Sequence, residues 1–375
     1  MSKSAIVIGA GIVGMATARA LAVRGYKVTV IERSEKAVGA SIRNFGMIWP
    51  IGQPEGNLYE RALLSKSIWK EVIAGAKCWS HEGGSLHMAY EQDELEVLQQ
   101  FVDVSSYRPV GFLDKKQTLE KSPAVNPDGL LGSLFSADEM IVDPREAIAA
   151  IPGYLTEKYG IKFIWNTAVN AVNYPNVFGG GKQWVTDEVF VCSGQDFETL
   201  YPEQFSAAPL TKCKLQMLRL EAQPDDWKIG PALCGGLSLI HYHGFKAAPS
   251  LAKLKSRYEE QYSEHLAWGI HVMASQNGLG EITVGDSHEY ALTFDPFDRE
   301  FINKMILDYL ATFAQFKSPK VFQTWHGIYP KLTNGDTEIV LNPEPGVTII
   351  NGLGGNGMTL SFGLCDQIIG GTYAK

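Results

Sequence analysis

The stretch "AIVIGAGIVGMATARALAVRGYKVTVIER", residues 5–33, predicts a strand, a helix and a second strand in succession. Gly9 suits the tight turn after the first strand, Gly11 lets a pyrophosphate approach the backbone, and Gly14 lets the helix pack on the strand. Glu32 stands 18 residues beyond Gly14, where an acid accepts hydrogen bonds from ribose hydroxyls and disfavours NADP. The order of these features predicts a dinucleotide-binding βαβ unit.

Length and composition limit the other possibilities. A chain of 375 residues predicts two domains. With 33 Lys and Arg against 41 Asp and Glu, the net charge of −8 argues against general affinity for nucleic acid or anionic lipid. The five cysteines are scattered without a CxxC pair, which indicates a reducing, cytoplasmic setting. No stretch is long and apolar enough to predict a membrane span.

Two further segments extend the dinucleotide-binding pattern. Residues 38–57, "VGASIRNFGMIWPIGQPEGN", follow the acid without returning to a third strand, and residues 351–363, "NGLGGNGMTLSFG", join a strand to the last helix. Together they resemble the FAD-dependent oxidoreductases of the D-amino acid oxidase, glycine oxidase and sarcosine oxidase family. The resemblance implies an α/β fold: a Rossmann-like FAD-binding domain, of the ββα variant of glutathione reductase, interleaved with a substrate domain built on a mostly antiparallel sheet with helices.

The chain order predicts alternation between these domains. The FAD-binding domain is expected over residues 1–80, 140–209 and 321–375, and the substrate domain over residues 81–139 and 210–320. Three elements are also predicted: a single strand over residues 162–172, a strand over residues 239–245, and a helix from Asp295 with Pro296 in its first turn. Pro152 is expected to kink the helix that Asp143 caps.

The resemblance implies bound FAD. Sarcosine oxidases attach flavin to a cysteine near the segment corresponding to "TWHGIYPK", residues 324–331, which has none here, so non-covalent FAD is expected. A glycine-rich loop that opens a helix brings backbone N–H groups to an electron-rich ring. The expected cofactor-binding residues are Gly9, Gly11, Ile12, Val13, Gly14, Glu32, Arg33, Ser41, Arg43, Asn44, Phe45, Gly46, Met47, Val169, Ser193, Gly194, Gly355, Asn356, Gly357, Met358 and Thr359.

The family chemistry is hydride transfer from the carbon beside an amine nitrogen to flavin N5, which leaves an imine that water hydrolyses to an aldehyde or keto product. O2 or another acceptor then takes the electrons. Amino-acid oxidases of the family hold the carboxylate with an arginine near "WHGIYPK", where this chain has Tyr329, Pro330 and Lys331. The segments "SIRNFGMIWPIGQP", "GSLHMAY", "LIHYHGF" and "GDSHEY" resemble a branch associated with aminophosphonate breakdown.

That resemblance implies a small anionic amine as substrate, such as an N-methylated or hydroxylated 2-aminoethylphosphonate. A phosphonate dianion needs several donors, and the expected catalytic and substrate-binding residues are Arg43, His241, Tyr242, His288, Tyr329 and Lys331. His271 is interpreted as a core histidine and Asp286 as a turn cap or a pocket residue. The eight histidines show no HExxH and no cysteine partners, so no metal site is predicted.

Two other functions stay open. One is an α-amino or N-methylamino acid oxidase. The other, of a different class, is a non-catalytic flavin-binding sensor or assembly protein. The sequence leaves the oligomeric state and the electron acceptor undecided.

Overall fold

The computed structural model describes residues 2–374. The strands are β1 (Ser4–Ile8), β2 (Lys27–Ile31), β3 (Met47–Ile48), β4 (Ser80–His81), β5 (Ser85–Ala89), β6 (Val110–Asp114), β7 (Gly132–Ser136), β8 (Met140–Val142), β9 (Lys162–Ile164), β10 (Val169–Asn173), β11 (Asn176–Gly179), β12 (Lys182–Val185), β13 (Glu188–Val191), β14 (Leu210–Leu220), β15 (Ala232–Cys234), β16 (Met273–Gln276), β17 (Ile282–Gly285), β18 (Glu289–Ala291), β19 (Val321–Leu332), β20 (Ile339–Leu341) and β21 (Val347–Asn351). The helices are α1 (Ile12–Val23), α2 (Asn57–Ala76), α3 (Gln92–Val104), α4 (Lys115–Lys121), α5 (Pro144–Tyr159), α6 (Pro202–Ala207), α7 (Leu237–His241), α8 (Leu251–Gln261), α9 (Ser263–Ala267), α10 (Glu300–Phe313) and α11 (Gly357–Gly370).

A six-stranded sheet contains the predicted βαβ unit. Its order is β20-β21-β13-β1-β2-β9, and β1 is parallel to both β2 and β13. The turn after β1 needs glycine, because Gly9 has a φ of +101°. A Cβ on Gly14 would lie 1.8 Å from the carbonyl oxygen of Gly9, so the close approach of α1 to the turn also requires glycine. The Rossmann-like expectation is confirmed.

A nine-stranded sheet forms the second layer. The order is β18-β14-β17-β16-β15-β5-β7-β6, with β19 also paired to β14. Antiparallel pairing joins β14 to β17, β18 and β19, whereas β15 and β5 are parallel. This agrees with the expected mostly antiparallel substrate sheet. Two smaller sheets, β10-β11-β12 and β3-β8-β4, complete the strands.

Strand β19 pairs along its length with β14 and so extends the large sheet to Leu332, and the expected domain boundaries stay predictions. One sequence expectation about strands needs correction. The strand expected over residues 162–172 is divided into β9 and β10, which lie in different sheets. The division occurs at Asn166, which has a φ of +52° and donates its backbone N–H to Ser34 O at 3.1 Å.

The segment 239–245 was expected as a strand, but it is helical. Helix α7 ends at His241 and a 3-10 helix spans His243–Ala247, which buries Leu239 and Phe245 and leaves the polar rings at the cavity. The alternation of apolar and polar residues suggested a strand, but two short helical turns on either side of Tyr242 give the same alternation.

The helix expected from Asp295 begins at Glu300 instead, as α10. The preceding backbone is bonded to β14: Lys214 Nζ donates to Asp295 O at 3.2 Å and to Phe297 O at 2.9 Å. Helix α5 has Asp143 as its cap, as expected, and continues through Pro152 to Tyr159 without interruption.

Candidate active site

A cavity of about 1280 Å³ is lined by residues of both large sheets. Pockets for small ligands usually measure about 300–1,000 Å³. The cavity therefore has room for a dinucleotide together with a small substrate.

The βαβ turn forms one end of this cavity. Glu32 accepts hydrogen bonds from Ala10 N at 2.9 Å and Ser34 N at 3.0 Å, so its carboxylate holds the turn and the loop beyond β2 together. Ser41 Oγ accepts the Ile12 N–H at 2.9 Å, at the first residue of α1. Arg33 forms an ion pair with Asp196.

Most residues expected to bind the cofactor line the cavity. They are Gly9, Gly11, Ile12, Val13, Glu32, Arg33, Ser41, Arg43, Asn44, Phe45, Val169, Ser193, Gly194, Gly355, Asn356, Gly357 and Met358. All six residues expected to act on the substrate also line it: Arg43, His241, Tyr242, His288, Tyr329 and Lys331. The structure thus brings both sets together, and their individual roles remain predictions.

Four expected cofactor-binding residues, Gly14, Gly46, Met47 and Thr359, lie outside the lining. Gly46 packs against the chain instead, because a Cβ there would lie 1.9 Å from Val142 O. Met47 belongs to β3 and is buried. Thr359 Oγ1 accepts the Trp49 N–H at 3.0 Å. These four residues therefore support the residues that line the cavity without lining it themselves.

The strand β19 forms the side of the cavity next to the C-terminal glycine loop. Lys331 forms an isolated β-bridge with Leu353, and a Cβ placed on Gly355 would lie 3.6 Å from the Tyr329 hydroxyl. Lys331 Nζ donates to the Tyr290 hydroxyl at 3.0 Å. Arg43 Nη1 donates to His326 O at 3.1 Å.

A cluster of three histidines stands in the same wall. One ring nitrogen from each of His241, His271 and His288 lies within 4.8 Å of the other two. Burial lowers the pKa of all three imidazoles, to about 4 for His288, and the positive charge of Lys331 lowers them further. Burial raises the pKa of Asp286, which lies between His271 and His288. The histidines are therefore neutral near pH 7.

The sequence interpretation missed His271 as a cavity residue. The apolar neighbours of His271 suggested the core, and that part was right, because the residue is 3 % exposed. Its side chain nevertheless lines the cavity. Asp286, which the polar crowding of "GDSHEY" predicted as a turn cap or a pocket residue, also lines the cavity.

Comparison with known proteins decides the family. The model of the FAD dependent oxidoreductase family matches residues 4–369. The chain belongs to this family. The expected family is thereby confirmed, whereas the aminophosphonate branch is not tested by the match.

Similar proteins agree with this assignment. The chain is 27% identical to D-amino acid dehydrogenase from Helicobacter pylori over 47% of its own length and 55% of the relative's. It is 31% identical to glycine oxidase from Bacillus licheniformis over 39% of its own length and 40% of the relative's. The chain thus spans about half the length of these curated relatives. Glycine oxidase from Bacillus cereus ATCC 14579 has the same fold, with a TM-score of 0.77 and 17% identity over 100% of this chain and 96% of that one.

The residues of this family member fit FAD. Gly357 opens α11 and Ile12 opens α1, both residues line the cavity, and a Cβ on Gly357 would meet only the Ile12 side chain, at 3.7 Å. Unpaired backbone N–H groups at helix N-termini attract phosphates and electron-rich groups. Over residues 2–374, no helix has the length and apolarity needed to cross a membrane.

Proposed function

We propose that this protein uses non-covalently bound FAD to oxidise the C–N bond of a small anionic amine, with N-methylated or hydroxylated 2-aminoethylphosphonates as the substrate class. The observation that supports this proposal is that some cations around the cavity are paired with carboxylates and others are not. Arg33, Lys212 and Lys214 each form an ion pair with a carboxylate. Within residues 2–374, Arg43 and Lys331 line the cavity without one.

Unneutralised cations in a protein of net charge −8 are notable, because each one attracts an anion that the rest of the surface repels. Both cations are associated with β19. Arg43 packs against Gly327 of this strand, and Lys331 is the next-to-last residue of the strand. The four-residue spacing from Gly327 to Lys331 corresponds to roughly 13 Å in a strand. An anion held by Lys331 and Tyr290 would lie next to the C-terminal glycine loop.

FAD bound in this cavity would accept two electrons from the carbon beside the amine nitrogen. The chain itself orients the substrate: Lys331 and the Tyr290 hydroxyl bind the anionic group, and Tyr329 limits access at Gly355. Burial raises the pKa of Tyr329 well above its usual value, so its hydroxyl keeps its proton and can donate a hydrogen bond.

A second candidate substrate is an α-amino or N-methylamino acid. The names of the relatives, a D-amino acid dehydrogenase and a glycine oxidase, favour it. Lys331, which has no carboxylate partner among residues 2–374, suits a phosphonate dianion better than a carboxylate, since a positive charge attracts a dianion more strongly than a monoanion.

Anaerobic flavin reduction tests the proposal. The purified protein is expected to be yellow, and acid should release the flavin into the supernatant. N-methyl-2-aminoethylphosphonate, 2-aminoethylphosphonate, glycine, sarcosine and D-alanine would each be mixed with the protein, and bleaching of the visible absorption followed. Fastest bleaching by an aminophosphonate supports the proposal. Faster bleaching by an amino acid supports the second candidate, and reduction by a photochemical donor alone supports a non-catalytic flavoprotein.

A further inference from the structure

The histidine cluster is built from three separate segments. His241 ends α7, His271 precedes β16, and His288 follows β17. The ring centroids of His241 and His271 are 3.7 Å apart, and His288 lies 5.1 Å from each. The nitrogens that could bind one ion all lie within 4.8 Å of one another, which is close to the spacing that a single metal centre requires.

Asp286 lies beside two rings of this cluster. Its Oδ1 lies 3.2 Å from His271 Nε2 and its Oδ2 lies 3.6 Å from His288 Nε2. The backbones of His271 and Asp286 also exchange hydrogen bonds, at 2.9 and 3.3 Å, so the β16–β17 hairpin holds these two residues in register. The three imidazoles therefore have a carboxylate next to them on a rigid frame.

Two buried polar atoms at this cluster lack a hydrogen-bond partner within the described residues. Nδ1 of His271 and Oδ1 of Asp286 are buried without a hydrogen-bond partner among residues 2–374, because the 3.2 Å approach between the two side chains is not aligned for a bond. Buried polar atoms without partners are rare in folded proteins, and a bound ion is one way in which they are satisfied.

The His288 ring is already oriented as a metal ligand would be. Its Nδ1 lies 2.9 Å from Gly269 O, and a donor bond there directs the lone pair of Nε2 towards Asp286. Metal-binding histidines usually donate their other ring N–H to a carbonyl or carboxylate in this way. A Cβ on Gly269 would lie 2.7 Å from the His288 Cβ, so this contact depends on glycine.

We propose that His241, His271 and His288 bind one divalent transition-metal ion in the cavity wall, with the Asp286 carboxylate beside two of the rings. Three imidazoles suit Zn²⁺ and its neighbours and are a poor match for Ca²⁺ or Mg²⁺, which prefer oxygen. The positive charge of Lys331 disfavours the binding of a metal ion. The negative charge of the Asp286 carboxylate offsets this repulsion. The inference is independent of the substrate.

Zinc titration of the intact flavoprotein tests this site. Protein treated with a chelator and then desalted would be titrated with Zn²⁺ by calorimetry, and the metal content after gel filtration measured by mass spectrometry. The expected result is one Zn²⁺ per chain in the wild type. Failure of the wild type to retain stoichiometric Zn²⁺ overturns the proposal without any variant.

Variants then locate the ion. His271→Ala and His288→Ala are each expected to weaken Zn²⁺ binding about 100-fold, because losing a direct ligand costs at least as much as losing an outer partner. His243→Ala is the matched control, since His243 lines the same cavity outside the cluster. Visible absorption of the flavin confirms that each variant is folded. Equal loss in His243→Ala and His271→Ala contradicts the assignment.

Discussion

The hydroxyl of Thr359 accepts a hydrogen bond from the backbone N–H of Trp49 at 3.0 Å, and both residues are buried. This bond joins the glycine-rich loop of residues 38–57 to the first turn of α11. The two segments that suggested a flavoprotein are 310 residues apart in sequence at this contact.

Replacing Thr359 with Val is expected to destabilise the protein by about 1–3 kcal/mol, because it leaves the buried N–H of Trp49 without an acceptor. Urea unfolding followed by tryptophan fluorescence measures the change. Thr359→Ser keeps the hydroxyl and should stay close to the wild type. A valine variant as stable as the serine variant would show that the bond contributes little.

Glu32→Ala is expected to weaken FAD retention, because the carboxylate holds the amides of Ala10 and Ser34 at the turn. The ratio of flavin to protein absorption after gel filtration measures it. Glu35→Ala is the control, since Glu35 is an exposed acid of the same loop. Equal flavin content in both variants would remove Glu32 from the cofactor site.

Lys331→Ala should lower kcat/KM for an aminoalkylphosphonate about tenfold to a hundredfold, through KM, and leave an uncharged amine of equal length nearly unaffected. A charge-assisted contact is lost only with the anionic substrate. Lys212→Ala is the matched control, because Lys212 lines the cavity but is paired with Glu198 at 2.7 Å. Steady-state turnover of each amine gives kcat and KM. Equal losses of kcat/KM for the two amines would place Lys331 outside the anion site.

The Glu71 carboxylate should make stability depend on pH. Burial alone would raise its pKa, but hydrogen bonds from Lys158 and Arg19 outweigh this and lower the pKa from 4.5 to about 2. A lowered pKa stabilises the fold above 4.5, and the contribution is lost as the pH falls from 4.5 towards 2. Because Glu71 is partly exposed, the effect at neutral pH should be about 1 kcal/mol or less.

Thermal unfolding of Glu71→Gln and wild type across this pH range measures the effect. The variant should be less stable at neutral pH, and the difference should shrink on acidification. Glu157→Gln, which removes an exposed acid of α5, is the control. A difference that is constant with pH would indicate lost packing rather than lost charge.

Short-range patterns predicted much of the cofactor half of the molecule. Gly9, Gly14 and Glu32 lie within one βαβ unit, where spacing alone constrains the backbone, and the structure confirms the turn that they form. Glu32 accepts hydrogen bonds from the amides of Ala10 and Ser34, and its expected contact with ribose stays a prediction. The pattern of a turn is local, so a single sequence suffices to predict it.

The substrate half depended on contacts that no local pattern contains. His241, His271 and His288 come together although α7, the start of β16 and the segment after β17 are separate in the sequence. The sequence suggested a strand at His241 and a core position at His271. The sequence by itself determined the dinucleotide-binding unit, because its glycines and its acid lie in one contiguous stretch, and the family, because each segment that carries the resemblance is a local pattern. Only the tertiary structure decided which polar side chains share the cavity wall, because their proximity arises from long-range packing of apolar residues elsewhere.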